Sequence, residues 1–278
     1  MSIKISASEV NKLRQQTGAG MMDCKKALVE ANGDFDAAVD YLRKKGAKVA
    51  ASRQDRESNE GVIIAKATAD GKNGVMIEVN CETDFVAKNA DFIAFAESLA
   101  DAALEQEVKD IDSAKNMEVN GSKVSDLLLD QTGKIGEKID ISNIEYVSSE
   151  RVVPYIHGNY RIGVLVCLSQ DGENVEDAGK DVAMQIAAMN PLAIDKSGID
   201  QAIIDRELEI AKEQIRAEGK PENLLEKIAQ GKLNRFFKDN TLLQQDFVKD
   251  SSKNVSQFLD SVSKGLTVTD FKRLQLEA

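Results

Sequence analysis

The residue types that perform chemistry are sparse in this chain. There is one histidine, His157, and three cysteines, Cys24, Cys81 and Cys167, stand far apart. A single histidine excludes a metal site built from two or three imidazoles. No Cys-x-x-Cys pair exists, which excludes a zinc ribbon or a thioredoxin-like redox motif. An odd, sparse cysteine count fits reduced thiols in a cytosolic compartment. A Ser–His–Asp triad would have to use His157, and no Gly-x-Ser-x-Gly precedes it, so His157 reads as a surface or interface histidine on a turn. Gly18-Ala19-Gly20 opens a helix, and helix N-termini hold phosphate. Yet no strand precedes it and no Gly-Lys-Ser/Thr follows, so it is a tight turn rather than a phosphate loop. Lys134-Ile135-Gly136 fails the same test. Acids number 47, but Asp110 and Asp112 fall in polar, solvated sequence, and residues 206–213 form the polar face of a helix.

Two features resist so plain a reading. The first is Gly20-Met21-Met22-Asp23-Cys24-Lys25-Lys26. Two consecutive methionines at a helix start cannot both face one small core. One is therefore expected to stay exposed, as an adaptable protein contact; the alternative is that both pack against the linker that follows. The second is Thr83-Asp84-Phe85-Val86, in a loop between a strand and a helix. Either Thr83 or Asp84 caps the helix with Phe85 in the core, or the loop presents Phe85 as a wedge.

The elements that must position these residues follow from periodicity. Residues 1–46 read as three short helices. Ser6 and Glu9 form a capping box, Val10, Leu13 and Thr17 face inward, and the second helix runs from about Met22 to Ala31. Gly33 takes a left-handed C-terminal position, Asp34 caps the third helix, and Gly46 ends it. Such a bundle buries little, which fits a contact module. Residues 47–59 are polar, without an apolar period, and read as a linker. The period then drops to two. Residues 62–68 and 75–79 form a hairpin around Asp70-Gly71 and Asn73-Gly74, followed by a helix carrying Phe92, Phe95, Ala96, Leu99 and Ala103. A similar strand–turn–strand–helix plan recurs from Val152 through Gly158 and residues 162–168 to a helix with Val182, Ala183 and Ile186. Between the copies lie a helix over residues 122–135 and a strand at 139–142. Ile204, Leu208, Ala211 and Ile215 form a heptad seam. Gly219-Lys220-Pro221 stops that helix and starts another, which makes a helical hairpin. A further helix through Val255 and Leu259 and a strand at 266–268 lie near the end.

The expected fold class is α+β: an N-terminal three-helix bundle, then two related antiparallel-sheet-plus-helix half-domains with a helical-hairpin insertion. The expected boundaries are 1–54 for the bundle and linker, 55–149 for the first half of the core, and 150–278 for the second, with the hairpin at about 199–237. At 278 residues and 42% apolar content, a substantial core can form. The net charge of −11 conceals a split: residues 1–56 carry +4 and the rest −15. An acidic body argues against nucleic acid as a direct partner. The N-terminus lacks the apolar run of a signal peptide, and no stretch approaches a membrane span. A cytoplasmic protein is the expectation.

At this point the residues resemble a known family. Leu13-Arg14 with residues 17–28, the run Glu78-Val79-Asn80-Cys81-Glu82-Thr83-Asp84-Phe85-Val86-Ala87-Lys88, and His157-Gly158 followed by Arg161-Ile162-Gly163-Val164-Leu165-Val166 resemble signatures of bacterial elongation factor Ts. Lys134-Ile135-Gly136-Glu137 and Gly219-Lys220-Pro221 also fit. The resemblance implies a guanine-nucleotide exchange factor for elongation factor Tu, with no cofactor and no catalytic chemistry of its own. It implies that the bundle is similar to a ubiquitin-associated domain and docks on the partner's nucleotide-binding domain through Arg14, Met21 and Met22. The loop Thr83, Asp84, Phe85 and Val86 matches the family's intruding segment, with Asp84 and Phe85 disturbing the partner's magnesium and phosphate site. His157 and Gly158 match a surface that meets another domain of the partner, and the hairpin matches the family's coiled-coil motif. The family forms factor dimers or complexes with two copies of each partner. Some members carry a further C-terminal module; here the chain stops soon after Phe271-Lys272-Arg273-Leu274, and the resemblance leaves open whether the partner contact made by that module is retained. Two other classes stand beside this one. A carboxylate-dependent hydrolase would need two close acids in a concave pocket. A ubiquitin-like recognition adaptor would leave the Phe85 loop and the helical arm without a role.

Overall fold

The computed structural model describes residues 5–53 and 55–277. Contacts divide the chain into two compact units, Met1–Lys66 with Val75–Tyr146 and Gln275–Ala278, and Ala67–Gly74 with Val147–Leu274.

The first unit begins with α1 (Ala7–Thr17), α2 (Met21–Glu30) and α3 (Phe35–Ser52). The capping box forms as its spacing predicts, with Glu9 N–H donating to Ser6 Oγ and Ser6 N–H donating to the Glu9 carboxylate. Gly18 closes α1 at φ +66°, a conformation that glycine adopts without a Cβ clash. Leu13, Cys24, Ala27, Leu28 and Ala38 form the buried centre of the bundle. Next come β1 (Glu60–Ala67), β2 (Asn73–Cys81), the one-turn helix α4 (Asp84–Ala87), α5 (Ala90–Glu105), α6 (Ile111–Asn116), the short pair β3 (Glu118–Val119) and β4 (Ser122–Lys123), α7 (Val124–Ile135) and β5 (Asp140–Ser148). The main sheet has the order β1-β2-β5. Ile63, Met76 and Ile77 on its strands and Phe92 and Leu99 on α5 are fully buried.

One element departs from the sequence reading. Gly46 does not end the third helix, which continues to Ser52 and takes up part of the expected linker. Gly46 is instead where α3 crosses α7. A Cβ built on Gly133 would lie 2.4 Å from Gly46 Cα, and one on Gly46 would lie 3.2 Å from Leu129 O. The glycines permit close backbone approach, so the missing side chain serves packing rather than termination.

The second unit contains β6 (Arg151–His157), β7 (Ile162–Leu168), α8 (Val175–Met189), α9 (Gln201–Ala217), α10 (Glu222–Asn240), β8 (Asp246–Phe247), β9 (Asp250–Asn254), α11 (Val255–Val262) and β10 (Val268–Gln275). Its main sheet has the order β10-β7-β6, with β6 antiparallel to β7 from Arg151↔Leu168 to His157↔Ile162. Val153, Val164, Val166 and Leu168 share a core with Val182, Ala183, Ile186, Leu242, Phe247 and Leu259. The seam predicted for α9 closes on α10, with Ala211, Ile215, Leu225 and Ala229 buried together. Across that hairpin Lys212 pairs with Glu226 at 3.5 Å and Lys232 with Glu218 at 3.4 Å. The architecture is α+β, as the sequence predicts.

Candidate functional site

Phe85 is the most exposed large apolar side chain among the described residues, with 83% of its surface open. Of the two sequence readings of this loop, the core position for Phe85 is the one the fold rejects. Thr83 does stand at the N-terminus of α4, but its side chain does not cap the helix. The hydroxyl donates to Glu137 Oε1 at 2.7 Å instead. Glu137 Oε2 also accepts the backbone N–H groups of Glu82 and Thr83, at 3.1 and 3.0 Å. The arrangement is reciprocal, because Glu82 Oε1 accepts the Lys138 N–H at 2.7 Å. Both Glu82 oxygens also accept from Arg53 Nη1 at 2.8 Å. Burial pushes the Glu82 carboxyl up, but the Lys138 N–H and the Arg53 guanidinium outweigh it and hold the group below the usual carboxylate range. Asp84 is partly exposed and pairs with Lys88 Nζ at 2.6 Å, one helical turn on, which lowers its pKa. Val86 is half-buried, over a small cavity that it shares with Phe92, Lys134 and Ile135.

The same helix, α7, also backs the bundle. A Cβ on Gly18 would lie 2.6 Å from Lys134 Cε, so the α1–α2 turn rests on the Lys134 side chain. Beyond this turn α2 presents Met21 and Met22, 52% and 73% exposed. Both methionines are open, where the sequence led to the expectation of one. Cys24, Ala27 and Leu28 fill the buried face of α2, so neither methionine has a place in it. Val29, 51% exposed, stands seven residues after Met22 and so on the same face of the helix; sequence reasoning missed it, although the i, i+7 spacing was there to be read. Arg14 on α1 is exposed.

In the second unit His157 ends β6 and is exposed, as is Gly158. Tyr155 Oη lies 3.0 Å from His157 Nδ1. Gly158, Asn159 and Tyr160 are three successive residues at positive φ, +62°, +54° and +68°. The hairpin of α9 and α10 exposes Ile203, Ile210 and Leu224.

The three thiols are buried, and burial pushes Cys81 and Cys167 up to about 12, so both stay protonated and unreactive at neutral pH. Among the described residues no group of three or more His, Cys, Asp or Glu side chains could hold a metal ion. No described helix is long and apolar enough to cross a membrane.

Exposed apolar side chains on the N-terminal bundle, on a braced strand-to-helix loop and on the helical hairpin, beside others at Leu129, Met189, Leu192 and Val248, are features of the class of α+β proteins that present contact surfaces. The comparisons give that class a family. The family model described as Elongation factor TS matches residues 82–278. The chain is 53% identical to the Elongation factor Ts of Christiangramia forsetii, over 98% of this chain and 99% of that one. It is 52% identical to that of Cytophaga hutchinsonii over the same shares, and 43% identical to that of Porphyromonas gingivalis over 99% of both. The chain belongs to the elongation factor Ts family of translation elongation factors.

Proposed function

We propose that this chain is a guanine-nucleotide exchange factor that binds elongation factor Tu and promotes release of its GDP. The observation that carries the reading is Phe85, 83% exposed on a loop whose base is held by four hydrogen bonds between Glu137-Lys138 and Glu82-Thr83. Leaving an aromatic in water is unfavourable, and holding it on a braced loop prepares it for burial in a partner without a large ordering cost. In this reading Asp84 and Phe85 disturb the partner's magnesium and phosphate site, with Thr83 and Val86 fixing the loop. Arg14, Met21 and Met22 dock on its nucleotide-binding domain. His157, Gly158 and the hairpin at about 199–237 meet other parts of the partner. The working division is 1–54 for docking, 55–149 for the wedge-bearing half and 150–278 for the second half, in a cytoplasmic protein.

Such a factor needs no acid, base or metal of its own. It must bind the nucleotide-free partner more tightly than the nucleotide-bound one, and by linkage it then weakens nucleotide binding by the same factor. A 10³-fold effect requires about 4 kcal/mol of differential contact. Burial of one Phe supplies roughly 1.5–3 kcal/mol, and displacement of the magnesium network supplies the remainder. Stopped-flow release of fluorescent GDP from elongation factor Tu tests the reading. Saturable acceleration by the chain is expected; an unchanged release rate with a folded partner would contradict it.

A further inference from the structure

The loop that carries Phe85 cannot hold itself. A single helical turn is unstable in isolation, because nucleation costs more than its few hydrogen bonds return. α4 has only four residues. Its shape must come from outside, and the outside contact is concentrated in one side chain. Glu137 accepts three hydrogen bonds at the loop base, from the N–H groups of Glu82 and Thr83 and from the Thr83 hydroxyl. Hydrogen bonds to an ionised carboxylate are about twice as strong as neutral ones. Gly136, at φ +84°, ends α7 and turns the chain so that Glu137 reaches the loop. The Glu82–Lys138 bond, in the reverse direction, ties the same two segments together. Phe85 lies two residues beyond Thr83, so its direction is set by this clamp.

We propose that Glu137 is a positioning residue for nucleotide exchange: its carboxylate fixes the loop base so that Phe85 is presented, and it acts on the partner only through Phe85. The inference rests on the exchange reading above. The test is a double-mutant cycle on the full-length chain. GDP release from elongation factor Tu is measured at saturating factor for wild type, Glu137→Ala, Phe85→Ala and the double variant. Glu137→Ala is expected to lower the saturating rate by at least tenfold, and the double variant to match Phe85→Ala within about twofold, because a clamp with nothing to present has no further effect. Multiplying effects, or a Glu137→Ala rate equal to wild type, would overturn the inference while leaving the exchange reading intact. Failure of the wild-type chain to accelerate release would overturn both. Glu137→Gln, which keeps the side chain's size, covers the case in which the alanine variant does not fold. Amide hydrogen exchange in the free Gln variant supplies a second readout. Faster exchange at Glu82 and Thr83, with β2 unchanged, is expected; unchanged protection at both would overturn the inference.

Discussion

The chain uses a strand–turn–strand–helix plan twice, and the two copies present different connections. In the first, β1 and β2 join through a tight turn closed by Thr68 N–H on Asn73 O and by the Thr68 hydroxyl on Asp70. The link from β2 to α5 is the elaborate one, with α4, the exposed Phe85 and the Glu137 clamp. In the second, the link from β7 to α8 is polar, with Gln170 tied to Lys264 O and Ser263. There the hairpin turn is elaborate, with His157 at the strand end and three left-handed residues after it. Strands and helices supply similar frames in both, and the side chains that the proposed function assigns to partner contact sit wherever a connection is built beyond what closure requires. The first copy presents a hydrophobic wedge, the second a polar corner.

The sharpest way to break that comparison is to remove one presented side chain from each copy. Phe85→Ala deletes an aromatic whose burial contributes roughly 1.5–3 kcal/mol, so the saturating exchange rate falls about 10- to 150-fold, with little change in Tm because 83% of the residue is open in the free chain. His157→Ala deletes a polar contact of roughly 0.5–1.5 kcal/mol, so exchange falls about two- to tenfold. Equal effects in stopped-flow assays would remove the distinction between wedge and corner.

Close packing behind the two copies gives the next contrast. Gly133→Ala puts a methyl 2.4 Å from the Gly46 backbone, which cannot yield, and overpacking of this kind costs roughly 1–3 kcal/mol. Gly179→Ala on α8 meets Val153 Cγ2 at 2.5 Å and its Cβ at 3.0 Å; this buried β-branched side chain yields less than a flexible one but more than backbone, so the cost falls near the middle of that range, about 2 kcal/mol. Scanning calorimetry should show the larger loss of Tm for Gly133→Ala; the reverse order would mean that the α3–α7 crossing yields more readily than the α8–β6 contact.

The smallest effect is one of pH. The folded-state pKa of Glu82 is lowered, so its contribution to stability is fully present above the unfolded-state value of about 4.3. That contribution is lost as pH falls through the lower folded-state value. The Tm gap between wild type and Glu82→Gln is therefore expected to be constant from pH 7 down to about 5 and to shrink below about 4. A gap that stays constant through that acid range would remove the ionised Glu82 from the loop base.

Local signals were legible in the sequence and distant ones were not. The Ser6–Glu9 capping box, the hairpins and the α9 seam are local signals, and the chain folds them as their spacing predicts, except that Ile204 at the start of the seam lies outside the cluster that Leu208, Ala211 and Ile215 form with α10. The exposed wedge was one of two open alternatives, since Thr-Asp before Phe also fits a capped helix with a buried aromatic. Gly46 was misread because glycine at a helix end and glycine at a helix crossing look alike until the partner, Gly133, is placed beside it. Both methionines are open because α2 fills its buried face with Cys24, Ala27 and Leu28. The Glu137 clamp joins residues 54 and 55 positions apart, and no periodicity announces such a contact.

The most direct test of the exchange mechanism is a pair of titrations with elongation factor Tu, one nucleotide-free and one saturated with GDP. Tighter binding to the nucleotide-free form, by about 10³-fold or about 4 kcal/mol, is expected. Equal affinity for the two forms would contradict exchange outright, since a ligand that binds both states equally shifts nothing.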